Sequence, residues 1–301
     1  MRILHLDTGE QMRGGQWQAL RLMEGLTAGG VECALLARAG APLAAAARQA
    51  GFEVAPAGFA RVALLARRCD LVHAHDARAH TLAALAGGAP LVVSRRVAFG
   101  RAGGLLSRWK YGRPAGFLAV SEFVKSTLIA RGVPAEKIAV VYDGVPLLDV
   151  PAPAGGRPRV LAPDTRGDPQ KGLALAQRAA QLAGVELELS SVLQRDLAGA
   201  AVFVHITHSE GLGSGVLLAM SAGVPVVASR VGGLPEIIRH RENGLLVENR
   251  AEAIAAAIRE VLDDPPFARR LALAGRHTVE ERFTLEHMVR GVMEVYRRLL
   301  A

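Results

Sequence analysis

The chain has 301 residues, of which 50% are hydrophobic, 21% charged and 4% aromatic, and its net charge is +8. The high apolar fraction excludes an intrinsically disordered chain, and two cysteines, Cys33 and Cys69, are too few for a disulfide scaffold. The first apolar stretch holds His5 and Asp7, unlike a signal peptide or a membrane anchor. We therefore expect a cytoplasmic protein with chain enough for one large or two ordinary domains.

The positive charge is concentrated in the first half of the sequence. Residues 1–150 carry 18 basic and 11 acidic residues, whereas residues 151–301 carry 18 and 17. The stretch between Asp76 and Glu122 has no acidic residue and seven basic ones: Arg78, Arg95, Arg96, Arg101, Arg108, Lys110 and Arg113. A surface of one sign attracts phosphates, anionic lipid headgroups or nucleic acid. The alternative is a solvated face in a chain of arginine-rich composition.

Short aliphatic runs alternate with helical patterns along the chain. They predict strands at residues 3–6, 31–37, 70–74, 90–94, 116–120 and 138–141, with amphipathic helices at 16–28 and 121–131. Four prolines interrupt the pattern around residues 144–158 and indicate a linker. Strands are predicted again at 159–163, 185–190, 201–206, 224–229 and 244–247, with helices from residues 172, 214 and 251. A last amphipathic helix is predicted at 284–300.

This alternation of strand and helix predicts an α/β protein with two doubly wound, Rossmann-like domains. The first domain would span residues 1–148, the linker 149–158 and the second domain 159–283, with a final helix at 284–301. Ligands of such sheets bind beyond the carboxyl ends of the strands, so we expect the ligand between the domains.

The most informative motif is the glycine-rich stretch that begins with HSEGLGSG at 208–215. It follows a predicted strand and leads into a helix that starts near Ser214. Gly211, Gly213 and Gly215 let a ligand approach the backbone, and the amides at the helix start favour an anion such as a diphosphate. Glu210 would repel a phosphate, so a neutral hydroxyl is its expected partner. The alternative is a tight strand-to-helix turn without a ligand.

Two further segments carry residues suited to phosphate. Arg166 and Lys171 lie in the loop after the first strand of the second domain, where two cations can neutralise a leaving diphosphate. Gly14 and Gly15 lie between the first strand and a helix, which gives the first domain a matching turn. The alternative for the two cations is ordinary exposure to solvent.

With these motifs the chain resembles a family 4 glycosyltransferase of the GT-B fold, and the resemblance covers nearly the whole sequence. It implies two Rossmann-like domains that face each other across a cleft, with a closing helix that packs back on the first domain. The matching segments are MRILHL and RGG near the N-terminus, DLVHAH at 70–75, residues 117–145, Arg166 with Lys171 and Gly172, SEGLGSG at 209–215, GGLPE at 232–236, NGLLV at 243–247 and residues 281–300.

The resemblance also implies roles for particular residues. Arg166 and Lys171 would bind the donor diphosphate and stabilise the leaving group, and Glu210 would hold a hydroxyl of the donor sugar. The other donor contacts that it implies are Gly14, Gly15, Gly211, Gly213, Ser214 and Gly215. The implied reaction transfers a sugar from a nucleotide-sugar with retention at the anomeric carbon, by a front-face mechanism that needs neither a cofactor nor a metal.

The sequence departs from the family pattern at three places. Leu218 stands where the family has a second Glu that binds the ribose, and an apolar side chain cannot accept a hydrogen bond from a ribose hydroxyl. The segment between Gly172 and Ala201 is shorter than usual. Arg96 stands where the family often has a histidine, and this extra cation favours a phosphorylated or acidic ligand.

Weaker candidates lie at the ends of two strands in the first domain. His75, Asp76, Arg95 and Arg96 are predicted to contact the sugar or the acceptor. His73 and His75 share one face of a strand because side chains alternate along it. The sequence offers no further metal ligand beyond Asp76, so no metal site is predicted.

The expected function is therefore a retaining glycosyltransferase that builds a cell-envelope glycan or lipid-linked saccharide, such as the lipopolysaccharide core. It would lie at the inner face of the cytoplasmic membrane, where the basic first domain would contact anionic lipid. The alternative is a non-catalytic binding or partner protein of the same fold, which Leu218 and the short segment motivate. Nucleic-acid binding is disfavoured because the chain has only 13 aromatic residues and no reader motif. A dehydrogenase is disfavoured because no G-x-G-x-x-G motif precedes a ribose-binding acid.

Overall fold

The structure is a computed structural model that describes residues 1–97, 104–149, 158–168 and 170–301. Its chain divides into two compact units, Met1–Asp143 with Leu285–Ala301 and Gly144–Thr284. Residues 150–157 of the predicted linker lie outside the described residues, and residues 144–149 belong to the second unit. Among the described helices, none has the length and apolar character that a bilayer span requires.

The first unit is built on a parallel sheet of seven strands in the order β3-β2-β1-β4-β5-β6-β7. Its strands are β1 (Arg2–Asp7), β2 (Glu32–Ala37), β3 (Glu53–Pro56), β4 (Leu71–Ala74), β5 (Leu91–Arg95), β6 (Gly116–Ala119) and β7 (Ile138–Val140). Six of the seven were predicted. Strand β3 was missed because it has only four residues at the sheet edge and buries none of them fully.

Helices connect these strands. They are α1 (Gly14–Ala28), α2 (Pro42–Gln49), α3 (Phe59–Ala66), α4 (Ala77–Ala86), α5 (Gly104–Gly112) and α6 (Glu122–Ala130). Helix α6 begins where the sequence predicted, because the Oγ of Ser121 accepts a hydrogen bond from the amide of Val124 at 3.0 Å. Helix α1 buries Leu22, Met23 and Leu26 in the core of this unit.

The second unit is built on a parallel sheet of five strands in the order β12-β11-β10-β8-β9. Its strands are β8 (Arg159–Pro163), β9 (Leu187–Ser190), β10 (Ala200–His205), β11 (Val226–Ser229) and β12 (Leu245–Val247). Its helices are α7 (Leu173–Ala183), α8 (Leu193–Asp196), α9 (Ser214–Ser221), α10 (Leu234–Ile237), α11 (Ala251–Asp263) and α12 (Pro265–Arg282). Since β10 is the central strand, the glycine-rich loop leaves the middle of the sheet.

The last helix, α13 (Leu285–Leu300), belongs to the first unit, which confirms the predicted return of the chain. It buries Met288, Val292 and Tyr296 against the core that contains α1. A Cβ atom at Gly25 of α1 would lie only 2.4 Å from Cγ2 of Val289, so a glycine is required for this close packing of the two helices.

Candidate functional site

Three polar side chains meet at the carboxyl end of β10 in the second unit. Oε2 of Glu210 lies 2.7 Å from Nζ of Lys171 and 3.0 Å from Nε2 of His205. Lys171 comes from the loop after β8, His205 ends β10, and Glu210 lies in the loop that leads to α9. We call these three residues the Glu210 cluster. The structure thus brings together two of the three predicted catalytic residues, Lys171 and Glu210.

The carboxylate of Glu210 is ionised in this setting. Burial alone would raise its pKa, but the hydrogen bonds and charges of His205 and Lys171 outweigh that effect and bring the pKa to about 2. An ionised carboxylate only accepts hydrogen bonds, whereas the Lys171 ammonium has three donors and spends one on Glu210. The cluster therefore offers an acceptor for a hydroxyl and a cation for an anion.

Sequence reasoning gave His205 no role. Its Nε2 lies 3.0 Å from Oε2 of Glu210, and its buried Nδ1 has no hydrogen-bond partner among the described residues. The only sequence signal was its place at the end of a predicted strand, five residues before Glu210.

Backbone pairing holds Lys171 beside the end of β10. Lys171 forms an isolated antiparallel bridge with Thr207, and the amide of Gly172 donates to the carbonyl of Ile206 at 3.0 Å. The amide of His208 donates to the carbonyl of Gln170 at 2.9 Å. A Cβ atom at residue 172 would lie 2.7 Å from Cγ2 of Ile206, so the glycine is needed for this approach.

The glycine-rich turn presents the start of α9. Gly213 precedes the helix with φ of +110°, a conformation that favours glycine, and no side chain caps the helix. Since Ser214 and Gly215 form the first turn, their amides have no intrahelical acceptor and point along the positive end of the helix dipole. This is the anion-binding geometry that the sequence predicted.

A second pair of glycines supports that turn. The amide of Gly233 donates to the carbonyl of Glu210 at 3.1 Å. A Cβ atom at Gly232 would lie 1.9 Å from the carbonyl oxygen of Glu210, and one at Gly233 would lie 2.1 Å from that of Gly211. Only glycine at both positions lets the two backbones touch, and this contact fixes the backbone that carries Glu210.

Arg166, the third predicted catalytic residue, has a different partner. Its Nε lies 2.9 Å from Oδ1 of Asp164, and 75% of its side chain is exposed. No hydrogen bond or ion pair of the described residues joins Arg166 to Lys171 or Glu210. An exposed ion pair contributes little to stability, so an anion can compete with Asp164 for this guanidinium.

The predicted phosphate turn of the first unit lies beside an arginine. Gly14 and Gly15 begin α1, and a Cβ atom at Gly15 would lie 3.8 Å from Cδ of Arg96. Nε of Arg96 lies 3.0 Å from Oδ1 of Asp143, and Nη1 lies 3.4 Å from Nδ1 of His75. The structure therefore brings Gly15, His75 and Arg96 together and adds Asp143, which the sequence did not identify.

The remaining weak candidates have partners inside the first unit. Asp76 caps α4 by accepting from the amides of Arg78 at 2.7 Å and Ala79 at 2.9 Å, and it also accepts from Thr8. Arg95 is buried, and its Nη2 lies 2.9 Å from Nδ1 of His80. Both residues stay predictions as ligand contacts, while the structure gives each of them a part in the fold.

A buried group of three histidines, His5, His73 and His75, lies in the first unit, and we call it the histidine cluster. One ligating atom of each lies within 4.8 Å of the others, as in a metal site. Nδ1 of His73, however, lies 2.6 Å from the hydroxyl of Tyr296, and its Nε2 lies 2.7 Å from Oγ of Ser94. Both nitrogens of His73 are thus occupied.

Arg96 sets the tautomers of the other two histidines. An arginine can only donate, so Nδ1 of His75 accepts from it, and Nε2 of His75 donates to Nδ1 of His5 at 2.9 Å. Burial, with the nearby charge of Arg96, lowers the pKa of His5 to about 3. With this cation beside neutral, hydrogen-bonded rings, the cluster fits a structural link between β1, β4 and α13 better than a metal centre.

Two family models match this chain, one over most of the first unit and one within the second. The model "Glycosyltransferase Family 4" matches residues 12–147, and the model "Glycosyl transferases group 1" matches residues 184–278. The second match includes Glu210 and the glycine-rich turn.

Curated relatives match about half of the chain. Alpha-maltose-1-phosphate synthase of Mycolicibacterium smegmatis is 35% identical over 152 residues, which are 46% of this chain and 39% of that protein. D-inositol 3-phosphate glycosyltransferase of Nocardioides sp. is 34% identical over 163 residues, which are 48% of this chain and 35% of that protein. The match therefore spans well under half the length of these relatives.

Solved structures match over the whole chain. Anabaena HepE in complex with UDP has a TM-score of 0.86 at 18% identity, with 99% of this chain and 100% of that chain covered. The apo form of WaaB, a lipopolysaccharide outer core galactosyltransferase, has a TM-score of 0.70 at 16% identity, with 98% and 100% covered. At such low identity the likeness shows the fold alone, and it confirms the predicted pair of Rossmann-like domains of the GT-B type.

Proposed function

Because the chain belongs to the family 4 glycosyltransferases, we propose that it transfers a sugar from a nucleotide-sugar donor to a hydroxyl of a glycan or glycolipid acceptor. The observation that carries this proposal is the Glu210 cluster beside the uncapped start of α9. It combines an ionised hydrogen-bond acceptor, a cation and free backbone amides within one unit. Those are the groups that a sugar hydroxyl and a diphosphate require.

In the proposed reaction, Glu210 accepts a hydrogen bond from a hydroxyl of the donor sugar. The ammonium of Lys171 and the amides of Ser214 and Gly215 face the diphosphate, where negative charge develops as the bond to the sugar breaks. Arg166 turns from Asp164 to the same diphosphate. Fixed positive groups at a site of developing charge are a large source of catalysis, and they support a reaction that needs no metal.

The proposed stereochemistry is retention by a front-face route. In this route the departing phosphate oxygen takes the proton of the acceptor hydroxyl while the new bond forms on the same face of the sugar. No protein nucleophile is required. An NMR assignment of the anomeric configuration in donor and product tests retention, and unchanged turnover in the presence of EDTA is the expected result for metal independence.

The proposed acceptor belongs to the cell envelope, such as a lipid-linked saccharide or the lipopolysaccharide core. The basic stretch without acidic residues in the first unit supports an anionic acceptor or membrane surface. WaaB is a lipopolysaccharide outer core galactosyltransferase by its name, and the two curated relatives are named for phosphate-bearing sugars or polyols. We therefore place the reaction at the inner face of the cytoplasmic membrane.

The decisive experiment is calorimetric titration of the chain with a panel of UDP-, GDP-, ADP- and CMP-sugars. Binding of one donor, followed by its slow hydrolysis or by transfer to an added acceptor, is the expected outcome. No heat of binding with any of these donors would instead support the second candidate, a non-catalytic binding or partner protein of the same fold.

Leu218 is the observation that favours this second candidate. This residue lies in α9 and is buried, with only 6% of its surface exposed. If a ribose lies beside it, Leu218→Glu tightens nucleotide binding by roughly tenfold to hundredfold, since the hydroxyls gain an acceptor. The conservative variant Leu218→Met serves as the control for packing. No gain in affinity with Glu would mean that the nucleotide does not place its ribose at α9.

A further inference from the structure

Helix α5 presents its apolar side chains to solvent. Leu105 is 82% exposed, Leu106 is 84% exposed and Trp109 is 43% exposed. No residue of this helix is fully buried. A water-soluble protein normally turns such residues inward, so a run of exposed leucines beside a tryptophan indicates a surface that contacts something apolar.

The helical repeat places these side chains on one face. At 100° per residue, Leu105, Leu106 and Trp109 fall within about 100° of each other. Ser107 and Tyr111 fall on the opposite side, and both are partly covered. The helix thus has Ser107 and Tyr111 toward the protein and its two leucines toward solvent.

Hydrogen bonds to neighbouring elements fix this orientation. The hydroxyl of Tyr111 accepts from Nη2 of Arg95 at 2.8 Å and from Nη1 of Arg131 at 3.2 Å. Nζ of Lys110 donates to the carbonyl of Ala77 at 2.7 Å, and the carbonyl of Lys110 lies 3.0 Å from Nε2 of His80. These contacts hold the Lys110 and Tyr111 side of the helix against the protein, so the leucines on the other side face solvent.

Positive charge surrounds the apolar face. Arg108 and Arg113 are exposed, and Arg78 is exposed next to Ala77, the residue that binds Lys110. The sequence from 77 to 121 contains no acidic residue. An apolar centre flanked by exposed arginines is complementary to an anionic lipid surface, where Trp and Leu enter the headgroup boundary and arginines pair with phosphates.

We propose that the α5 face, formed by Leu105, Leu106, Trp109, Arg108 and Arg113, docks the chain onto an anionic bilayer without spanning it. This inference rests on the proposed function only in that a membrane acceptor gives the docking a purpose. The docking itself follows from exposure and charge, so it is measured without any sugar transfer.

The chain offers a direct probe of this contact, because it has two tryptophans, Trp17 and Trp109. In a Trp17→Phe background, fluorescence reports Trp109 alone. We expect its emission to shift to shorter wavelength when vesicles of phosphatidylcholine with about one third phosphatidylglycerol are added. Vesicles of pure phosphatidylcholine should leave the emission nearly unchanged. No shift with the anionic vesicles would overturn the proposal.

Sedimentation with the same vesicles separates the two parts of the face. The double variant Leu105→Gln/Leu106→Gln should lose binding, and Arg108→Gln should weaken it about fivefold, as expected for one basic residue near an anionic surface. Leu273→Gln and Arg269→Gln, exposed in the second unit, are the matched controls and should bind like the parent. Equal binding by the α5 variants would overturn the proposal.

A donor titration and a measurement of mass complete the test. The α5 variants should keep the parent's affinity for the donor, so a failure of membrane docking is distinct from a failure of the proposed function. A parent that is dimeric in solution and becomes monomeric with the leucine variants would overturn the proposal and show that the face binds a second copy.

Discussion

Two polar clusters, one in each unit, contain similar residue types and have opposite character. In the Glu210 cluster of the second unit, a lysine and a carboxylate remain charged next to an uncapped helix start. In the histidine cluster of the first unit, burial lowers the pKa of all three rings, and both nitrogens of His73 are occupied within the protein. Charge that is left for a ligand marks a candidate site, whereas neutral buried rings that bond mainly to one another mark a structural joint. Within the histidine cluster, Nε2 of His5 has no hydrogen-bond partner among the described residues.

The sharpest test of this contrast is Lys171→Ala. If the ammonium stabilises a leaving diphosphate, turnover should fall by about 100-fold to 1,000-fold, while acceptor binding changes little. Steady-state kinetics with the donor found by calorimetry measure the effect, and circular dichroism checks that the variant folds. Lys125→Ala, a surface lysine of the first unit, is the control. Unchanged turnover would remove Lys171 from the proposed role.

Acid should affect the two clusters in sequence. The pKa of His5 is about 3 in the folded protein and 6.5 ordinarily, so its contribution to stability is complete above pH 6.5 and is lost as the pH falls toward 3. The pKa of Glu210 falls from 4.5 to about 2, so its contribution is lost only between these values. Each unit of pKa difference corresponds to about 1.4 kcal/mol, and the first unit should therefore lose stability at the higher pH.

Both tryptophans, Trp17 and Trp109, lie in the first unit, so their fluorescence follows that unit alone during an acid titration. Hydrogen exchange of residues 200–221 follows the second unit. His5→Asn should flatten the fluorescence change above pH 3, whereas His277→Asn, exposed on α12, should not. A second unit that opens first would contradict the assignment of the two clusters.

His205 separates positioning from chemistry within the Glu210 cluster. Its loss should let the Glu210 carboxylate move, which weakens the hold on the sugar equally in the ground and transition states. His205→Leu should then raise KM for the donor about tenfold and leave kcat nearly unchanged. His205→Gln, which can still donate to Glu210, should recover most of the affinity. A large fall in kcat with unchanged KM would contradict a positioning role.

The smallest expected effect lies in the histidine cluster. Tyr296→Phe removes the hydroxyl that lies 2.6 Å from Nδ1 of His73 and should lower the free energy of unfolding by about 1 kcal/mol. Urea titration followed by tryptophan fluorescence measures this loss. Donor affinity and turnover should not change. Altered turnover at parental stability would mean that the cluster takes part in function.

The strand order of each sheet is harder to predict than the strands themselves. Short aliphatic runs predicted 11 of the 12 strands in the described part of the chain, because buried parallel strands are continuous and apolar. The short edge strand Glu53–Pro56 lacks that signal. No helix was predicted at residues 104–112, where α5 lies, and its leucines Leu105 and Leu106 face solvent.

The sequence identified several residues of the candidate site, but it did not predict which of their side chains contact each other. Glu210 and Lys171 stand in motifs of glycine and charge that local chemistry explains. Their direct contact joins residues 39 positions apart and depends on the bridge between Lys171 and Thr207. Asp143 carried no local signal and His205 only its place near a strand end, because a buried polar residue acquires its role from its tertiary neighbours.

Because the first unit is made of two separate segments of the chain, it cannot be completed during synthesis until its last helix has been translated. The sheet of this unit is synthesised first. Helix α13, which packs on α1 and brings the hydroxyl of Tyr296 to His73, is synthesised only after the whole of Gly144–Thr284. The second unit can therefore form its core while the first unit still exposes the apolar surface of α1 and leaves Nδ1 of His73 without its partner. During synthesis, the apolar surface of this first segment is exposed to aggregation until α13 has been translated and packs on it.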